Sequence, residues 1–98
     1  MITEKQKRFL RGKAHHLKPV VLTGNAGLSD PVMQEIEIAL AHHELIKVRI
    51  SAADRDQLRE MANQACKATN ATLVQVIGHI AIMYRCAKTP KIILPGLS

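Results

Sequence analysis

The chain has 98 residues, 47% of them hydrophobic, and a net charge of +6. That is enough for one modest core, expected as a single domain over 1–98, and too apolar for a disordered tail. No apolar run approaches the ~20 residues of a membrane span, the first residues lack the basic-then-apolar build of a secretory signal, and Cys66 and Cys86 show no C-x-x-C spacing, so a cytoplasmic protein with idle thiols is expected.

Thr3-Glu4-Lys5-Gln6 has the form of a capping box and opens a helix expected over 4–16. Gln6, Leu10, Ala14 and Leu17 recur at helical spacing and are expected to face the protein, with Phe9 beside them. Lys7, Arg11, His15 and Lys18 repeat the same spacing on a neighbouring stripe, so the helix carries a basic face. Gly12 lowers helix propensity by about 1 kcal/mol relative to Ala, which suggests close packing or a bend.

Val20 to Thr23 is short and β-branched between Pro19 and Gly24, the pattern of a buried strand. Gly24-Asn25-Ala26-Gly27 follows it directly. Glycines can take φ > 0, so a G-x-x-G turn can aim successive backbone N–H groups at one point, and a helix starting behind it adds unpaired N–H groups and the positive end of a dipole. That arrangement suggests a phosphate cradle; a plain turn between strand and helix is the competing reading.

The second helix is expected from Ser29 or Asp30, with Pro31 in its first turn and Leu28 packed on Met33. Val32, Ile36, Ala39, Leu40 and His43 mark its inner face and the glutamates lie outside. From Leu45 to Ile50 the period changes to two, with Ile46, Val48 and Ile50 on one side and Leu45, Lys47 and Arg49 on the other. Asp54 to Gln57 opens a third helix with Leu58, Met61, Ala62 and Ala65 inward and its end at Asn70. Thr72–Ile77 and Ile80–Arg85 read as a hairpin turning at Gly78-His79, and Ile92 to Pro95 as a short extended edge.

The order α-β-α-β-α-β-β indicates an α/β (α+β two-layer) fold: a four-stranded mixed sheet with helices two and three on one face, by right-handed crossovers, and the other face open. Charge is uneven along it. Lys5, Lys7, Arg8, Arg11, Lys13 and Lys18 stand against Glu4 alone in the first helix and its exit, whereas residues 30–44 carry Asp30, Glu35, Glu37 and Glu44 with no Lys or Arg. Clustered basic residues are the footprint of a nucleic-acid binder.

Several blocks together resemble one known family: residues 10–20 (LRGKAHHLKPV), Gly24-Asn25-Ala26-Gly27-Leu28, Glu44-Leu45-Ile46-Lys47-Val48-Arg49, Ile77-Gly78 and Tyr84-Arg85. They look like the CRM (chloroplast RNA splicing and ribosome maturation) domain in its free-standing bacterial form, the YhbY family, over nearly the whole chain. The resemblance implies an RNA-binding domain built like the C-terminal domain of bacterial translation initiation factor three, with its G-x-x-G loop placed as in KH domains. It also implies association with precursor large ribosomal subunits; related plant domains serve group II intron splicing.

The residues set limits on mechanism. Phe9 and Tyr84 are the only aromatics, so there is no stacking platform, and binding is expected to rest on phosphates and RNA shape. Gly24, Asn25, Ala26 and Gly27 are assigned as the backbone clamp, and Lys5, Lys7, Arg8, Arg11, Lys13 and Lys18 as a basic track beside it. Lys47 and Arg49 extend the track over the open sheet face, and Arg85 either joins it or serves as a structural ion-pair partner. The pairs His15-His16 and His42-His43 are adjacent on helices and diverge by about 100°, so they form no zinc chelate. Glu35 and Glu37 diverge likewise, and no nucleophile elbow or Walker loop is present. No enzyme activity, cofactor or metal is expected, and a monomer is. Two other classes compete: a protein adaptor docking through the acidic helix 30–44, and a DNA reader using the first helix in a major groove.

Overall fold

The structure, a computed structural model, describes residues 2–90 and 92–94. Its elements are α1 (Glu4–Ala14), β1 (Pro19–Leu22), α2 (Asp30–His43), β2 (Leu45–Arg49), α3 (Arg55–Thr69), β3 (Thr72–Ile77) and β4 (Ile80–Tyr84). The capping box forms as the sequence indicates: Gln6 N donates to Thr3 Oγ1 at 3.1 Å and Thr3 N to Gln6 Oε1 at 2.9 Å. Asp54 caps α3 by accepting Gln57 N, and Asn70 ends it in the left-handed conformation at φ 58°.

The strands pair in the order β1-β2-β4-β3, with β1 parallel to β2 and the other pairs antiparallel. On one face α2 and α3 bury Ile36, Leu40, Leu58, Ala62 and Ala65 against Val21, Ile46, Val48, Ala81 and Met83. Each of the Val, Leu, Ile and Met side chains stabilises the fold by about 1.5–3 kcal/mol and each Ala by less, which fixes the register of β2: a slip of one residue would turn Lys47 and Arg49 into this core.

The opposite face, expected open, is open only in part. α1 packs across β2, β3 and β4, burying Leu10 and Ala14 against Leu45, Val74, Ile82 and Tyr84. The reason lies in β2 and β4: Leu45, Ile82 and Tyr84 are apolar on that side and demand a cover. The cover stops at β1, where Val20 and Leu22 remain 50% and 62% exposed. Gly12 serves no packing role, because a Cβ there would meet nothing within 4 Å.

Three further expectations change. α1 ends at Ala14, so Leu17 leaves the helical period and is exposed, and Lys18 is no part of the helix stripe. His43 is exposed, and the residue after it turns inward instead: Glu44 is fully buried. The segment 92–94 forms no strand; Ile92 and Leu94 pack against the α1 core, and Pro95 lies outside the described residues.

Glu44 joins α2 to β2 at φ 62°, ψ −45°, a conformation costing about 1–3 kcal/mol for a residue with a Cβ. Its carboxylate accepts Ala87 N at 2.8 Å and Ile92 N at 2.9 Å, and its carbonyl accepts Arg85 N. Two hydrogen bonds to a charged acceptor, at about 1.5–3 kcal/mol each, outweigh the backbone cost. The chain after β4 is thereby tied down, and Tyr84 is sealed enough that burial, with the neighbouring Cys86 and Glu44, pushes its hydroxyl up to about 12. Replacing Glu44 by Ala keeps the backbone cost and removes both acceptors, so it is expected to lower the unfolding free energy by about 2–4 kcal/mol in urea titrations. Glu44→Gln, which keeps one acceptor oxygen, falls between Ala and wild type.

Candidate nucleic-acid interface

The Gly24–Gly27 loop sits where the parallel strands end. Thr23 N donates to the Arg49 carbonyl at 2.9 Å, and Thr23 Oγ1 accepts Ser51 N at 2.8 Å, so the exits of β1 and β2 are stitched together. Ile50 N donates to the His79 carbonyl at 2.8 Å, which brings the β3–β4 turn to the same place. Within the loop, Gly27 N donates to the Gly24 carbonyl at 3.0 Å, closing a tight turn. Gly27 holds φ +70°, while Gly24 is not among the positive-φ residues.

This geometry narrows the cradle. The Gly27 N–H is spent on the turn, leaving the Asn25 and Ala26 N–H groups without a described acceptor at the exposed tip. The start of α2 adds little. Ser29 Oγ accepts Val32 N, Pro31 has no N–H, and Asp30 places a carboxylate at the positive end of the dipole. The positive partner comes instead from the end of β2: Arg49 lines a cavity of about 360 Å³ together with Leu22, Thr23, Ser51 and the His79 imidazole.

His79 and Ser51 escaped the sequence reading. Their signal was the topology, since right-handed parallel crossovers bring the ends of β1 and β2 together and the antiparallel β4 starts beside the end of β2.

The remaining basic residues are not gathered beside the loop. Lys5 and Arg8 are exposed on α1, and Arg11 is half-buried there. Lys7, 4.0 Å from Glu4, stands with Arg59 over the outer edge of β3. Lys13 lies 5.7 Å from the Phe9 ring centroid and shares a cavity with Lys18 at the other end of β1 from the loop. Lys47 Nζ donates to the Leu17 carbonyl at 3.1 Å, bracing the connection between α1 and β1.

Arg85 lies on the α2–α3 side. Its Nη1 donates to the Thr69 carbonyl at 3.0 Å and its Nη2 pairs with the Glu37 carboxylate. That hydrogen bond, the main cause, holds the Glu37 carboxyl below its usual range. Among the described residues no group of three His, Cys, Asp or Glu side chains is placed to hold a metal, and no helix is long and apolar enough to cross a membrane.

The two glycines differ in what they tolerate. A side chain at Gly27 meets the positive φ and a Met61 Cε contact at 3.6 Å, whereas one at Gly24 meets open space. Gly27→Val is therefore expected to cost about 1–3 kcal/mol of stability, and Gly24→Val less than about 0.5 kcal/mol, in parallel thermal and urea unfolding.

Comparison with known proteins agrees with this architecture. The solution structure of the hypothetical protein SAV1595 from Staphylococcus aureus matches with a TM-score of 0.86 and 38% identity, over 97% of this chain and 100% of that one. A protein named "RNA-binding protein" from Haemophilus influenzae is 50% identical over 96% of this chain and 95% of its own length. "Probable RNA-binding protein YqeI" of Bacillus subtilis is 40% identical over 93% and 95%. The profile of the CRS1 / YhbY (CRM) domain matches residues 2–85, and with that extent and those identities the chain belongs to the CRS1 / YhbY (CRM) domain family.

Proposed function

We propose that this protein is an RNA-binding module that holds RNA chiefly by its phosphates, acts on ribosomal RNA in precursor large subunits, and assists their assembly without catalysing a reaction. The observation that carries the contact is the loop tip: the exposed Asn25 and Ala26, whose backbone N–H groups have no described acceptor, directly follow a β1 exit that is hydrogen-bonded to Arg49. Paired N–H groups with a cation alongside suit a phosphate oxygen, and small side chains leave the backbone approachable. The names of the relatives support RNA as the ligand, and the resemblance to the YhbY family supports the precursor large subunit as its setting. Arg85, engaged by Glu37 and Thr69, belongs to the scaffold in this reading.

The adaptor reading loses ground in the same geometry. Of the acidic residues on 30–44, Glu44 is buried and Glu37 is paired, leaving Asp30 and Glu35.

The test is a loop variant that spares both glycines. Asn25→Asp with Ala26→Asp sets two carboxylates where a phosphate sits, so binding to a structured ribosomal RNA fragment is expected to fall by about tenfold or more, with the melting temperature unchanged. Wild-type affinity in a normally folded double variant would reduce the loop to a turn.

A further inference from the structure

At the opposite end of β1 from the loop lies a second cavity, of about 500 Å³, between the exit of α1, the start of β1 and the start of β2. Leu17, Val20 and Leu45 contribute apolar walls, and Lys13, His16, Lys18 and His43 share the lining. None of the described lining side chains is acidic, and the one carboxylate behind the wall, that of Glu44, is held by backbone N–H groups including that of the lining residue Ile92. Core packing accounts for Leu45 but not for the other two walls. Leu17 is 38% exposed and Val20 50%. Val20 is also the extra residue of a bulge: Pro19 pairs with Lys47 and Val21 with Val48, so one residue of β1 has no counterpart and is re-aimed. The wall is preformed, because Lys47 Nζ holds the Leu17 carbonyl in place, and a preformed wall spares a ligand the entropy of ordering it.

An apolar slot flanked by two lysines, with no carboxylate among its described lining side chains, suits a ligand with a flat apolar body and a negative charge. In RNA that description fits a nucleotide whose base is unstacked; in a helix the base faces are covered and only edges and phosphates are offered. We infer that this cavity seats one unpaired nucleotide of the bound RNA, its base against Leu17 and Val20 and its phosphate between Lys13 and Lys18. The inference rests on the RNA-binding reading above and adds a ligand class to it: RNA with a loop, bulge or end that offers a free base.

Leu17→Ser with Val20→Ser removes the walls without changing charge or burying a new group. Binding of this variant to a short oligoadenylate is expected to weaken about three- to tenfold, with an unchanged salt slope, while binding to an RNA duplex stays as in wild type. In the wild-type protein, 5′-AMP is expected to shift the methyl resonances of Leu17, Val20 and Leu45. Equal loss on both RNAs, loss on neither, or 5′-AMP shifts elsewhere would overturn the inference and leave RNA binding standing. A wild-type protein that binds neither RNA overturns the RNA-binding reading and the inference with it. Unchanged oligoadenylate binding with altered concentration-dependent sedimentation would assign the cavity to a second copy of the chain, again against a nucleotide.

Discussion

The parallel pairing of β1 with β2 is the constraint on which the arrangement depends. Parallel strands end on the same side, so the loop after β1 and the turn after β2 emerge together, and the Thr23 hydroxyl locks them through Ser51 N. Because β4 runs back along β2, its turn with β3 arrives at the same edge, held by Ile50 N on the His79 carbonyl. Three segments remote in sequence thus meet at one rim. The four-residue β1 owes its place to Val21, buried between α2 and Val48, more than to any property of the loop itself.

Charge is sorted by the same packing. Two negative groups of the segment 30–44 are taken up within the fold: Glu44 is spent on backbone N–H groups, and Glu37 on Arg85, while Asp30 and Glu35 stay exposed. An exposed ion pair of that kind adds little to stability. Its effect lies in the field, because the cations on the other side of the sheet keep their charge while the acidic helix loses some of its own. Phe9 sits under Lys13 and Tyr84 is buried, so neither ring is free as a stacking platform, consistent with a surface that reads phosphate and shape.

Much of this was legible in the chain. The capping box at Thr3, the period-two run from Leu45, the Asn70 cap and the Gly78 turn are local signals, and each forms where its residues indicate. What local signals miss is who covers whom. The helical period put Leu17 and His43 inside, but α1 stops at Ala14 and α2 yields its inward position to Glu44. The face expected open is covered in part by α1 because β4 is apolar on both sides, a fact visible only once β4 is known to be central. At the loop, the glycine pair was evident from the sequence. That Gly27 alone holds the positive φ, and that Asp30 and Pro31 weaken the helix start as an anion site, follows from how the turn closes.

The central claim is that RNA meets this protein at the rim formed by the three turns. Mapping backbone amide resonances during titration with a short RNA hairpin tests it most directly. The account predicts the largest shifts at Asn25, Ala26, Arg49, Ser51 and His79. Shifts concentrated on the outer face of α2, around Glu35 and Ile38, with residues 24–27 unmoved, would contradict it.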